Sequence, residues 1–441
     1  MLASLALILA CSQGLPSDSA VGAILAPRVA AFPAFPDSGK HGAGIVVGLL
    51  DANGKRRIVA AGVDAGAVFE IGSITKVFTA SVLSDMVARR EVKLDDPVAN
   101  YLPRAVHMPV RGRPISLLDL ATQVSGLPRL PDNLAPRDPS NPYADYSVRQ
   151  LYEFLSRYQL PRDPGASYEY SNLGMGLLGH ALALRARMSY EQLVARRLLT
   201  PLGMRETAIT LTPPLRARLA PGHDEAGKVV PNWDLPTLAG AGALRSTASD
   251  MLAFLAANVD TSATPIGRAL RQTHDPRQAT DNPNLKVGLA WHILSRPIGN
   301  IVWHNGGTGG YRTFIGFDPV RRIGVVVLSN FNRSVDDLGY HLLDESFPLE
   351  PPPQRHAEVA VDSLVLARYV GDYELAPTFH IVITREAMHL FLQATAQPRF
   401  PIFAESDSTF FLTVVDAQIT FRPDGLVLHQ NGQHIPGRKL H

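Results

Sequence analysis

Ser73 stands three residues before Lys76 in the segment 69–77 (FEIGSITKV), where a run of small residues passes into a helical pattern. On a helix, positions i and i+3 share a face, so the lysine amine can reach the serine hydroxyl. A lysine buried there loses proton affinity and can act as the base that makes the serine nucleophilic without a histidine. Phe78, Val82, Leu83, Met86 and Val87 carry a helical period through residues 77–90, which puts Ser73 at the start of a buried helix. Backbone N–H groups at such a start stabilise negative charge on an attacked carbonyl.

Two further constellations follow in order. Tyr170 and Asn172 lie in the loop 164–174 (PGASYEYSNLG), which opens an apolar helical stretch over residues 173–185. A phenolate near a lysine can take a serine proton, and an asparagine amide both donates and accepts hydrogen bonds. Alone, the pair reads as a half-buried aromatic beside a helix cap. The third segment is 303–311 (WHNGGTGGY), ahead of two expected strands, 311–317 and 323–329, around a turn at Asp318 and Pro319. Its glycines let a substrate backbone approach a strand edge closely; alone, it reads as a glycine-rich turn with a satisfied histidine.

In this order the three segments resemble the penicillin-recognising serine hydrolases: class C β-lactamases, serine D-Ala-D-Ala carboxypeptidases, D-aminopeptidases and related esterases. Three further blocks support the resemblance, namely 92–98 (VKLDDPV) with Tyr101 and Pro103, 117–128 (LLDLATQVSGLP) and 202–204 (LGM). It spans residues 25–345. The resemblance implies Ser73 as nucleophile, with Lys76 and Tyr170 sharing general acid/base duty. Asn172 would hold the substrate amide and the lysine. His304, Asn305 and Gly306 would occupy the third motif, and the Gly307 N–H would join that of Ser73 as the oxyanion hole.

The chain departs from the class C pattern at two of these positions. Thr75 stands where Ser or Ala is usual, a small steric change. His304 replaces the lysine typical of β-lactamases, and the charge of an imidazole near neutral pH depends on its surroundings. The family's carboxypeptidases and D-aminopeptidases also carry histidine here. The substitution tilts the expected substrate towards D-amino-acid peptides or esters and leaves β-lactams open.

Composition narrows the function classes. A net charge of +2 over 441 residues, with no basic run interleaved with aromatics, gives no sign of a nucleic-acid partner. No spacing of His, Cys or acidic residues suggests a metal, no cofactor is implied, and no Gly-x-Ser-x-Gly elbow competes for the nucleophile role. Residues 2–10 are almost purely apolar, too short to span a bilayer, and end at the chain's single cysteine. The pattern resembles a lipoprotein signal with Cys11 as the lipidated residue. The alternative is an ordinary secretory signal cut near residues 10–20. Both mean export to the periplasm, with a membrane anchor in the first case. A single cysteine allows no intrachain disulfide.

The expected fold is α/β in the α+β sense. Strands at 43–50 and 57–61 meet through a turn at Asn53 and Gly54, helices follow over 77–90, 148–158, 173–185, 190–199 and 249–258, and strands return over 287–294 and 311–329. This predicts an antiparallel sheet flanked by helices, plus a helical lobe, with the active site between them (β-lactamase/transpeptidase-like). Domains are expected at 1–20 (export signal), 25–345 (hydrolase), 346–357 (proline-rich linker) and 358–441. The last reads as short strands, 378–384, 388–393, 399–404, 409–415, 417–422 and 426–430, forming a small β-barrel that resembles the lipocalin-like domain of some D-peptidases. A barrel this small is filled by its own side chains and serves as a lid or partner surface.

The resemblance implies a serine hydrolase acting on the amide bond of β-lactams or D-Ala-D-Ala peptides of peptidoglycan type. The alternatives are a carboxylesterase of the same family and a penicillin-binding sensor that acylates without turnover. Lys76, Tyr170 and Asn172 together favour turnover.

Overall fold

The computed structural model describes residues 14–32, 42–260, 264–351, 358–377, 379–395, 397–412, 417–430 and 433–440. Cys11 and the apolar leader fall outside these residues, as does the 352–357 part of the expected linker. The chain divides into two compact units, the first built mainly from residues 37–224 and 229–350, the second mainly from 351–441.

The first unit is organised around an eight-stranded antiparallel sheet. Its order is Arg56–Ala61, Ile45–Leu50, Ile323–Ser329, Arg312–Asp318, Ile301–Gly307, His292–Leu294, Leu285–Val287 and Gln278–Ala279. The first and last strands of this unit in chain order, Ile45–Leu50 and Ile323–Ser329, thus lie side by side, where Val47 pairs with Val327. Every residue of Ile45–Leu50 and Ile323–Ser329 is buried, so these strands read as continuous apolar runs without alternation. The reason is that helices cover both faces. Gly324 lies under Leu255 of the Ala248–Val259 helix, while Phe314, on the opposite face, packs against Tyr340 of the Asp336–Leu343 helix.

The helix Thr75–Ala88 follows a single 3₁₀ turn at Gly72–Ile74 and begins two residues earlier than expected. It is buried nearly all round and not on one face alone. That burial is tolerated because its polar groups are bonded: Ser81 Oγ donates to the Val77 carbonyl at 2.6 Å, and Ser84 Oγ to the Ala269 carbonyl at 2.7 Å. Phe78 stacks on Phe254 at 4.0 Å between ring centroids, tying this helix to the one lying on the sheet.

Other elements differ from the sequence expectation. The 190–199 stretch is an α-helix only over Tyr190–Val194 and continues as a π-turn, Ala195–Leu199. The expected 287–294 strand is two short strands, broken where Ala290 turns back with φ 62°. Asp18–Ala30 is a helix that the sequence reading did not expect, overlapping the end of the expected 1–20 export signal. Val21, Leu25 and Arg28, spaced i, i+4, i+7, form its buried face, and Arg28 pairs with Asp337. Pro27 within it obscures this pattern.

The second unit is a closed barrel of eight antiparallel strands running from Gly371–Ala376 to Gln433–Lys439, with Tyr373 paired to Lys439 at the closure. Both terminal strands lie outside the six expected from sequence. Tyr373, Ile381, Leu390, Ile402, Phe410, Ile419 and Leu426 fill its interior, as the barrel's size requires.

Candidate active site

Three elements of the first unit bring the predicted residues together. The Gly72–Ile74 turn presents Ser73 partly exposed, and the first turn of the following helix buries Lys76 completely. Lys76 Nζ lies 2.8 Å from Ser73 Oγ and donates to the Ala241 carbonyl at 2.7 Å. Burial, and then the nearby positive charge of Arg129, hold the lysine's pKa well below its ordinary value. The consequence is a base: a neutral amine can accept the serine proton, whereas an ammonium cannot.

Tyr170 comes from the loop leading into the Asn172–Ala186 helix, whose first turn is capped by Ser171 Oγ accepting from the Gly174 N–H at 2.8 Å. Lys76 Nζ sits 4.9 Å from the centroid of the Tyr170 ring. Burial pushes the Tyr170 phenol up, while a hydrogen bond with Ser73 and the charge of Arg129 act in the opposite direction. The resting tyrosine is therefore a neutral phenol able to pass a proton on, and Lys76 is the group whose environment favours the basic form. Asn172 Nδ2 donates to the Tyr143 hydroxyl at 3.2 Å, and its buried Oδ1 accepts from no group among the described residues. The expected Asn172–Lys76 hydrogen bond is not made: Lys76 donates to the Ala241 carbonyl, and Asn172 Oδ1 has no partner among the described residues.

The Ile301–Gly307 strand supplies the third wall. The neighbouring His292–Leu294 strand pairs with it only as far as Trp303, so its edge from His304 to Gly307 is unpaired on that side. Gly72 adopts φ +51°, and a Cβ there would lie 2.6 Å from the Gly307 nitrogen. A Cβ on Gly306 would lie 2.1 Å from the Ile71 carbonyl oxygen. Glycine at both positions lets the strand close onto the turn that carries Ser73. On the strand's other face, Asn305 Nδ2 donates to Asp336 at 2.6 Å and fixes its height.

His304 is fully buried, 6.2 Å from the Tyr170 ring and stacked 5.0 Å from His292. Burial, then the charges of His292 and Lys76, push its pKa well below 6.5. Its Nδ1–H donates to the Asn305 carbonyl at 2.6 Å, which leaves Nε2 as an unpartnered acceptor. At neutral pH it is an uncharged imidazole, so an imidazolium that anchors a carboxylate does not fit this pocket.

Four groups at the site were not singled out from sequence: Ala241, Tyr143, His292 and Arg129. Arg129 directly follows the 117–128 block and was within reach of a sequence reading. The others come from distant segments. Among the described residues no cluster of His, Cys, Asp and Glu could hold a metal, and no helix is long and apolar enough to cross a membrane.

Comparison with known proteins agrees with this geometry. Residues 31–344 match the family described as Beta-lactamase, and residues 355–430 match a domain of unknown function, DUF3471. The D-alanyl-D-alanine-carboxypeptidase/endopeptidase AmpH of Escherichia coli is 31% identical over 59% of this chain and 70% of its own length. A β-lactamase of Pseudomonas fluorescens is 28% identical over 60% of this chain and 80% of its own. In three dimensions, a class C β-lactamase from Rhodobacter sphaeroides superposes with a TM-score of 0.60 at 26% identity, covering 69% of this chain and 95% of that one. With Ser73, Lys76 and the glycine edge assembled as described, the chain belongs to the β-lactamase family of serine hydrolases.

Proposed function

We propose that this protein hydrolyses the amide bond of β-lactams or of D-Ala-D-Ala peptides through an acyl-enzyme on Ser73. The observation that carries the proposal is the 2.8 Å approach of Ser73 Oγ to a fully buried Lys76 amine. Ser73 Oγ attacks the carbonyl carbon as its proton passes to Lys76. Negative charge on the carbonyl oxygen is met by the N–H groups of Ser73 and Gly307, each worth about 3 kcal/mol in the transition state. The proton gained by Lys76 passes through the Tyr170 hydroxyl to the leaving nitrogen as the C–N bond breaks. Asn172 Oδ1 accepts from the substrate amide N–H. Water then attacks the acyl carbon, the same groups take its proton, and Ser73 leaves.

The relatives lend support on substrate class. One is named a D-alanyl-D-alanine carboxypeptidase/endopeptidase and another a β-lactamase. An exported location, with an anchor at Cys11, fits such substrates, as does the lead-in sequence before residue 20. The test is to incubate the pure protein separately with a chromogenic cephalosporin, a D-Ala-D-Ala peptide and a p-nitrophenyl ester. Turnover of the first or second with the higher kcat/KM supports the proposal. Turnover of the ester alone assigns an esterase, and a stable acyl-enzyme without turnover assigns a sensor.

A further inference from the structure

With His304 uncharged, the third motif offers no cation to an anionic substrate. A cation stands beside Tyr170. The exposed Arg129 side chain places its guanidinium carbon 5.2 Å from the centroid of the Tyr170 ring. Its main chain is fixed to the same segment. The Arg129 carbonyl accepts from the Asn172 N–H at 3.0 Å and the Leu173 N–H at 3.2 Å, and the preceding Pro128 carbonyl accepts from Ser171 Oγ at 2.6 Å.

The Arg129 charge acts on Lys76, Tyr143, Tyr168 and Tyr170 alike, so the guanidinium faces the catalytic groups. Among the described residues no carboxylate forms an ion pair with Arg129. Nor does any carboxylate act on Lys76, Tyr170 or His304. A substrate anion entering here meets a guanidinium that no carboxylate among the described residues holds in an ion pair. Five N–H donors in a planar fork match a carboxylate geometrically. An arginine kept for the fold would normally spend those donors on a carboxylate or carbonyl.

We propose that Arg129 is a specificity-determining residue that binds the substrate's carboxylate beside Tyr170, so that carboxylate-bearing substrates are preferred over their uncharged counterparts. This rests on the acyl-enzyme reading at Ser73. The test compares kcat/KM for benzylpenicillin and its methyl ester, which differ only in that charge, in the wild type, Arg129→Gln and Arg129→Lys. The acid-to-ester ratio should fall about two- to fivefold in Arg129→Gln, the size of an exposed charge contact, and less in Arg129→Lys. In the wild type the ratio should also fall as salt rises, and this sensitivity should be lost in Arg129→Gln. Equal losses on both substrates, or an unchanged ratio, would overturn the assignment. Intact-mass measurement on the same samples separates the two readings. A labelled Ser73 with an unchanged ratio removes only the role of Arg129, whereas no label on Ser73 removes the acyl-enzyme with it.

Discussion

Lys76 Nζ lies 2.8 Å from Ser73 Oγ while its side chain is wholly shielded from water. An ordinary lysine, with a pKa near 10.4, is almost entirely protonated at pH 7 and a poor base. Burial shifts that balance towards the neutral amine. Replacing Lys76 by alanine should slow acylation about 10²- to 10⁴-fold, measured by stopped-flow with a chromogenic cephalosporin, and leave circular dichroism unchanged. Tyr170→Phe should slow it in the same range, because only the hydroxyl is lost; full activity in that variant would leave the tyrosine as packing. Since the basic form grows as pH rises, the acid limb of kcat/KM should fall well below the ordinary lysine range. Removing the Arg129 charge should move that limb upward, because the charge lowers the Lys76 pKa.

A different pH prediction attaches to His304. Its pKa is depressed by burial, His292 and Lys76, so it stays neutral as pH falls through the usual histidine range. The kcat/KM for benzylpenicillin should therefore show no decline between about pH 5.5 and 7.5 of the kind expected from an imidazolium with an ordinary pKa near 6.5. A decline centred there that disappears in His304→Asn would establish a charged His304. His304→Lys places an ammonium in a dry site beside Lys76 and should cost ~3 kcal/mol of stability in urea titration, with no gain in β-lactam turnover.

Gly72 makes a prediction about backbone alone. At φ +51°, with the Gly307 nitrogen 2.6 Å from where its Cβ would lie, alanine is both strained and obstructed. Gly72→Ala should displace the Gly307 N–H from the attacked carbonyl and lower kcat about 10²- to 10³-fold, the effect of losing one oxyanion donor. The same change should cost about 1–2 kcal/mol of stability for the left-handed conformation. A variant with that stability loss and undiminished kcat would remove Gly307 from the oxyanion hole.

The site's arrangement was legible where it is local. Ser73 and Lys76 meet because three residues make most of a helical turn, and Tyr170 and Asn172 are set by the loop that starts a helix. Residues that join the site through the tertiary fold left no such mark. Ala241 receives the Lys76 hydrogen bond across 165 positions of sequence, and His292 reaches His304 by strand pairing at Trp303. The state of His304 was likewise unreadable, since burial and not residue type decides its charge. In the fold, the antiparallel sheet and the barrel were legible from apolar runs and turns. The barrel's closing strands were not, because Pro436 and Gly437 interrupt the alternation in Gln433–Lys439.

The central claim is that Ser73 carries the acyl group, and intact-mass spectrometry tests it most directly. After brief exposure to benzylpenicillin, the wild-type chain should gain the mass of one penicilloyl group, found on the peptide containing Ser73. Ser73→Ala should gain none. Lys76→Ala should acquire the same adduct at the same residue about 10²- to 10⁴-fold more slowly. Labelling of Ser73→Ala, or an adduct on any other residue of the wild type, would contradict the assignment of the nucleophile and the mechanism built on it.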